Sequence, residues 1–356
     1  MKILVGLSGG VDSAVAAFLL KEQGYDLIGA TMSIWDRNKT ALKSSNNSSC
    51  YGYYKEEDIE TARQIAKLLD IPFHVIDCSE KYEEIVLNNF KNEYIQGRTP
   101  NPCVWCNAYI KFGMFPRIAK ESGLQFDKFA TGHYARIEEK NGIFRLKKGL
   151  DEKKDQSYFL YRLTPEQLKN IIMPLGIYTK EEIRKIALKN NLLNAKKPDS
   201  QDFYSGDYNE ILEIKAKPGN IVDTKGNILG THNGIWNYTV GQRKGLKIAA
   251  REPLYVLELN KDRNEVIVGF KDETFKNKLA AVNTNIILPV EKNKELKVKA
   301  KIRSTQPLQD ARIILKDDGT INVIFEEFQK SIAIGQSAVF YNNDEVIGGG
   351  IIDKIL

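Results

Sequence analysis

Lys2-Ile-Leu-Val-Gly-Leu-Ser-Gly-Gly-Val-Asp-Ser-Ala-Val-Ala-Ala-Phe-Leu-Leu20 is an apolar strand that runs through a glycine turn into a helix. Ile3 to Gly6 is continuously apolar, as a strand buried on both faces requires, and Ala14 to Leu20 reads as a helix packed against it. Gly9 and Gly10 can adopt φ > 0 and bring backbone N–H groups close to a ligand. The amides and positive dipole end of the following helix favour an anion there. The loop departs from the Walker A pattern, which places a lysine before its Ser/Thr; Asp12 and Ser13 stand near that position instead. Asp12, in the first helical turn, is expected to hold Mg²⁺ between carboxylate and phosphates. The plainer reading of Asp12 is a helix-dipole partner, with the glycines merely making a turn.

Ser8-Gly9-Gly10-Val11-Asp12-Ser13 resembles the PP-loop of ATP pyrophosphatases, which split ATP into AMP and pyrophosphate while adenylating an oxygen of their substrate. That family includes synthetases of small molecules and tRNA thiolases, so the rest of the chain must discriminate.

The 356 residues suffice for two or three domains with separate cores. A formal charge of +6, from 52 Lys and Arg against 46 Asp and Glu, permits nucleic-acid binding without requiring it. No apolar run is long enough to cross a bilayer and Lys2 leads directly into a strand, so a cytoplasmic protein without membrane partners is expected. Cys50, Cys78, Cys103 and Cys106 are then expected reduced, with catalytic or metal roles ahead of structural disulfides.

Strands at Asp26–Ile34, Pro72–Asp77 and Lys128–Ile137 alternate with helices at Glu56–Leu69 and roughly Ser79–Gln96, while a polar loop covers about Asp36 to Tyr54. This α/β alternation predicts a doubly wound parallel sheet with ligands at the carboxyl ends of its strands. Gly97-Arg-Thr-Pro-Asn-Pro-Cys-Val-Trp-Cys-Asn-Ala-Tyr-Ile-Lys-Phe-Gly113 carries a Cys-x-x-Cys. Asn107 is read as the cap of a helix beginning there, which would put Cys106 at a helix N-terminus, where a thiolate is stabilised. One Cys-x-x-Cys is half a zinc site and nothing completes it. Nucleophilic or sulfur-carrying chemistry stands ahead of a metal or iron-sulfur site, and Cys78 reads as a core residue.

That stretch, with Ala130-Thr-Gly-His-Tyr-Ala135, Lys154-Asp-Gln-Ser-Tyr-Phe-Leu160, Pro198-Asp-Ser-Gln201 and Asn237-Tyr-Thr-Val-Gly-Gln-Arg-Lys-Gly-Leu246, resembles the tRNA 2-thiouridylases of the MnmA/TrmU type in order along most of the chain. The resemblance implies a PP-loop catalytic domain (1–204, including tRNA-contacting helices at about 150–195), a small central β domain (205–275) and a C-terminal β-barrel (276–356). It implies ATP-dependent 2-thiolation of the wobble uridine of tRNA, by adenylation of O2 and then sulfur transfer, releasing AMP and pyrophosphate. ATP and Mg²⁺ would be used. The partners would be tRNA and a sulfur donor protein, either a cysteine desulfurase or a persulfide relay. By the same resemblance Gly6, Leu7, Ser8, Gly9, Gly10, Val11, Asp12, Ser13, Met32 and Gly132 would contact the nucleotide. Asn101, Pro102 and Cys103 would border the target base, Lys154, Asp155 and Gln156 would touch tRNA, as would Arg303 and Ser304, and Cys106 would be the nucleophile. The polar stretch 154–156 reads equally as an ordinary loop, and His133 as a structural histidine.

Two positions depart from the family pattern. Tyr204 stands where its second, persulfide-bearing cysteine is usual, and Cys103 stands where many members have aspartate. A phenol cannot carry a sulfane sulfur. Three routes remain: Cys103 and Cys106 sharing the work, an iron-sulfur cluster on Cys103, Cys106 and Cys50, or direct attack by sulfide. The alternative function is a paralogue that binds tRNA and ATP without transferring sulfur. Thr164-Pro-Glu-Gln167 and Thr179-Lys-Glu-Glu182 are capping boxes that open helices. Beyond about Ser205 short β segments with Gly and Asn turns dominate, and from Ala280 strands spaced for a closed barrel. The basic runs Gln242-Arg243-Lys244 and Lys297 to Arg303 could meet phosphates; a solvated charged face is their default reading.

Overall fold

A computed structural model describes residues 1–35, 50–51, 55–192, 203–204 and 206–356. Two compact units divide them: Met1–Leu87 with Pro102–Ile211 and Asp344–Val346, and Asn88–Asn101 with Leu212–Asn343 and Ile347–Leu356.

In the first unit, strands β1 (Lys2–Gly6), β2 (Asp26–Ser33), β3 (Phe73–Asp77) and β4 (Lys128–Ala130) are joined by β5 (Ala135–Lys140), β6 (Ile143–Lys148) and the two-residue β7 (Ile171–Ile172). The sheet runs β3-β2-β1-β4-β7 and its pairs are all parallel. Its central strand β1 is apolar throughout, with Ile3, Leu4 and Val5 fully buried, as burial of both faces requires. Ile3 and Val5 pack with Ala14, Val15 and Ala17 of the helix Val11–Glu22, and with Ala62, Ile65 and Ala66 of the helix Lys55–Leu68. The single strand expected over Lys128–Ile137 is two. β4 ends at Ala130, and β5 starts at Ala135 as half of an antiparallel hairpin with β6. Thr131 to Tyr134 lie between them, at the carboxyl edge where a doubly wound sheet binds ligands.

The second unit contains β8 (Gly219–Asp223), β9 (Ile228–His232), β10 (Tyr255–Asn260), β11 (Glu265–Gly269), β12 (Phe275–Ile286), β13 (Glu295–Lys301), β14 (Gln309–Leu315), β15 (Ile321–Lys330), β16 (Ser337–Asn342) and β17 (Glu345–Ile355). The order β10-β11-β8-β9 makes a small four-stranded sheet. β12-β15-β14-β13-β16-β17 closes on itself through β12–β17 pairing, forming a six-stranded barrel without open edges. Its interior follows from period-two alternation: Ile321, Val323 and Phe325 point inward with Val298, Ala300, Ile313 and Phe340. Among the described residues no helix is long and apolar enough to cross a membrane.

Candidate active site

The phosphate loop is held shut by its own serines. Ser13 Oγ accepts from Ser8 N–H at 3.1 Å and donates to Gly10 O at 3.0 Å, while Ser8 Oγ lies 3.2 Å from it. Gly9 has φ +74°, and a Cβ there would lie 2.6 Å from the Asp58 carbonyl oxygen. Both conformation and space therefore demand glycine. Gly10 is the N-cap of the helix Val11–Glu22 and no side chain caps that helix. Its first turn is thus presented by backbone alone, an arrangement suited to an anion. Gly132, just past β4, sits directly on this turn: a Cβ would be 2.7 Å from Asp12 C and 2.8 Å from Ser13 N. Met32 belongs to β2, opposite Ile76 of β3 and just beyond the register that β2 shares with β1.

Asp12 has partners that sequence reading did not single out. Lys180 Nζ lies 2.8 Å from both Oδ1 and Oδ2, and Tyr134 Oη donates to Oδ1 at 2.8 Å. The ammonium is 8% exposed and the carboxylate 28%. Lys180 carried no sequence signal beyond following the capping Thr179, because 168 residues separate it from Asp12. The capping box itself is formed, as is that of Thr164 with Gln167. A partly open carboxylate above a turn of backbone amides fits Mg²⁺ binding through one carboxylate plus phosphate oxygens. Asp12 would be the protein ligand and the ion would neutralise phosphate charge.

The thiol helix begins earlier than expected. It starts at Pro102, so Cys103 is its second residue and Asn107 is internal. Asn107 is buried and donates from Nδ2 to Phe159 O at 3.3 Å, bracing the helix instead of capping it. Cys106 consequently loses the N-terminal position assigned to it. Enclosure pushes its thiol up to about 11, with the nearby Lys111 ammonium acting in the opposite direction. Cys78 is inert core, pushed up to about 12 chiefly by burial.

From Cys106 to Met114 the helix widens to π geometry, with Phe115 N–H donating to Ile110 O. Gln167 stabilises the widened turns: its ε-amide donates to Ala108 O at 2.8 Å and Phe112 O at 3.1 Å. Lys111, five residues beyond Cys106 along these widened turns, is the cation that acts on its thiol. Lys111 Nζ is 3.4 Å from His133 Nε2, and His133 Nδ1 is 2.7 Å from Thr131 Oγ1. An ammonium can only donate, so Nε2 is the acceptor and Nδ1–H points to threonine. Burial, then Lys111, holds His133 well below its ordinary value and therefore neutral.

Tyr82 is fully enclosed, and burial first, then Cys106, Cys50 and Cys103, pushes its phenol well above its ordinary value. Tyr51, next to the exposed Cys50, stacks on both Tyr82 and Phe203. Tyr204 is buried and its phenol donates to Glu210. Pro198 to Gln201 lie outside the described residues. No group of three His, Cys, Asp or Glu side chains among the described residues is arranged to hold a metal ion. The iron-sulfur set of Cys103, Cys106 and Cys50 therefore lacks a fitting geometry here, and no step is assigned to a cluster.

The remaining candidates are anchored within their own units. Asp155 accepts from Gly149 N–H, Ser157 N–H and Ser157 Oγ at 2.9–3.1 Å. Gln156 exchanges two bonds with the Tyr134 backbone, both 2.9 Å. Lys154 N–H donates to Asp151 O at 3.0 Å. Arg162, absent from the sequence reading, lies over Trp105 at 5.1 Å and Tyr109 at 5.9 Å. In the second unit Arg303 donates to Val240 O and Ser331 O, each at 3.0 Å, Ser304 follows it half-buried, and Asn101 ends the first segment of that unit.

Three family models match the chain: a tRNA methyl transferase HUP domain over residues 1–204, a tRNA methyl transferase PRC-barrel domain over 211–270 and an aminomethyltransferase beta-barrel domain over 276–352. The chain is 53% identical over 356 residues to the tRNA-specific 2-thiouridylase MnmA of Endomicrobium trichonymphae, covering 99% of each. It is 44% identical over 362 residues to that of Clostridium perfringens (strain 13 / Type A), covering 100% of this chain and 99% of the relative. A 4-thiouridine synthetase–RNA complex with bound ATP aligns at 17% identity and TM-score 0.35, covering 58% of this chain and 44% of that one.

Proposed function

Because this chain belongs to the tRNA-specific 2-thiouridylase family, we propose that it is an ATP-dependent tRNA-uridine 2-sulfurtransferase acting on the wobble position. One observation carries the reading. The three residues after β4 join the two halves of the chemistry: Gly132 rests on the phosphate loop, and the adjacent His133 holds Lys111 of the Cys103–Cys106 helix. The same short segment thus ties a loop that would bind the nucleotide reacting with O2 to a helix whose thiol would deliver sulfur to the adjacent C2.

In the first step uridine O2 attacks the α-phosphorus of ATP. A P–O bond forms, the α–β phosphoanhydride breaks and pyrophosphate leaves. The loop amides and the helix start at Val11 bind the departing phosphates. In the second step the terminal sulfur of a Cys106 persulfide, loaded by a sulfur donor protein, bonds to C2 and AMP departs with the original O2. Cys103, one helical turn away, then attacks Cys106 Sγ, releasing 2-thiouridine and leaving a Cys103–Cys106 disulfide. A dithiol reductant restores both thiols. Cys50, an exposed free thiol, is the second candidate for the resolving role. Asn101, Pro102 and Cys103 border the target base, and Lys154, Arg303 and Ser304 are the tRNA contacts of this reading.

The test is thiolation of wobble-uridine tRNA by the full chain with ATP, Mg²⁺ and a persulfide or sulfide donor, read by mercury-affinity gel. Cys106→Ser should abolish product, and Cys103→Ser should stall the first turnover with tRNA held on Cys106 through an unresolved Sγ–S–C2 bond, released only by added dithiol. Absence of thiolated tRNA with either donor, alongside retained tRNA and ATP binding, would instead establish the binding paralogue. Full multiple turnover by Cys103→Ser would transfer the resolving role to Cys50.

A further inference from the structure

A phosphate loop of this type must balance the charge of a triphosphate, yet Ser8 to Ser13 contains no cation and contributes the anion Asp12. The structure supplies a cation from 168 residues away. Lys180 Nζ bridges both oxygens of Asp12 at 2.8 Å, and its side chain is more deeply enclosed than the carboxylate it meets. Tyr134 makes a separate bond to Oδ1, so Asp12 keeps a donor if the ammonium turns elsewhere.

The same two residues lead away from the phosphates. Lys180 N–H donates to Asp151 Oδ2 at 3.0 Å, and Asp151 Oδ1 accepts from Lys153 N–H at 3.0 Å. Tyr134 N–H donates to Gln156 Oε1, and Gln156 N–H to Tyr134 O. The segment 149–157 is thereby tied to Asp12 by two routes, one through each donor on its carboxylate.

We propose that Lys180 is a positioning residue of the phosphate site: held on Asp12 in the nucleotide-free chain, its ammonium turns to the phosphates of the bound nucleotide, and its backbone bond to Asp151 passes the change to segment 149–157. A lysine is suited to this exchange because a point charge on a flexible stem can swap a carboxylate for a phosphate without a fixed fork geometry. The assignment rests on the ATP-using reading of the loop and deepens it.

The experiment uses the full chain without tRNA, so failure of sulfur transfer is separable from failure of this proposal. Titration calorimetry with magnesium pyrophosphate and, in parallel, with AMP compares the wild type with Lys180→Met, Lys180→Arg and Tyr134→Phe. Lys180→Met should bind pyrophosphate about tenfold or more weakly, as loss of a charge-assisted bond implies, while AMP affinity stays within about twofold. Lys180→Arg should recover most of the difference. Tyr134→Phe should keep the pyrophosphate preference. Equal losses for both ligands, or none, would overturn the proposal by reducing the pair to a structural bridge. On the unmutated chain, Mg·ATP should change hydrogen exchange within 149–157; unchanged exchange there overturns the link to the segment even if Lys180→Met does not fold.

Discussion

Gln167 reaches across from one helix start and donates its ε-amide to the carbonyl of Ala108 at 2.8 Å, inside the widened helix that carries Cys106. Its Oε1 meanwhile closes the capping box by accepting from Thr164 N–H at 2.9 Å. One side chain therefore satisfies a helix terminus and two carbonyls displaced by the π geometry.

Replacing Gln167 by leucine should cost about 1–3 kcal/mol, since buried carbonyls would lose their donors. It should also let the helix relax toward α spacing and turn Lys111 away from Cys106. A urea melt and residue-resolved alkylation of Cys106 would check both; unchanged stability would show that water replaces the amide.

The Cys106 thiol, raised to about 11 by enclosure, should react with iodoacetamide at a rate that climbs as pH rises through 9 and 10. Lys111 is the cation facing it, while Cys78, Tyr82 and Cys50 can add only negative charge. Lys111→Met should move the profile upward in pH and Lys111→Arg should largely preserve it. Identical profiles for all three chains would remove Lys111 from the thiol's environment.

Acid should destabilise the first unit through His133. Its folded value lies well below 6.5, so the unfolded chain binds a proton that the folded chain refuses. Stability is then complete above about pH 6.5 and is lost below it, at up to roughly 1.4 kcal/mol per pH unit. His133→Gln should flatten that limb when urea stability at pH 5 is subtracted from that at pH 7.5. A difference equal to the wild type's would mean that other groups carry the acid response.

Gly132→Ala would press a methyl against backbone atoms of Asp12 and Ser13 that lie 2.7–2.8 Å away. Neither neighbour is a flexible side chain, so strand end and phosphate loop must separate, at a cost of about 1–3 kcal/mol. ATP affinity should fall together with stability. Retention of both would show that β4 and the loop slide apart without penalty.

Much of this protein was legible from local pattern. The apolar β1, the glycine turn and the helix after it follow from short-range sterics and periodicity, as do both capping boxes and the alternating barrel strands. The break between β4 and β5 is not legible locally, because a single glycine inside a strand-like run reads as easily as a bulge, while in the fold Gly132 lies against the backbone of Asp12 and Ser13. The helix start at Pro102 was missed because Asn107 looks like a cap by type; its amide is instead used by Phe159, 52 residues away.

The sequence by itself determined the phosphate loop, the succession of elements and the residues able to carry sulfur, because these depend on neighbours within a few positions. Tertiary structure alone decided which charged and polar groups meet: Lys180 on Asp12, 168 residues apart, and Lys111 on His133, 22 residues apart. Electrostatic energy depends on distance in space and on local enclosure, and neither is written in the spacing of residues along the chain.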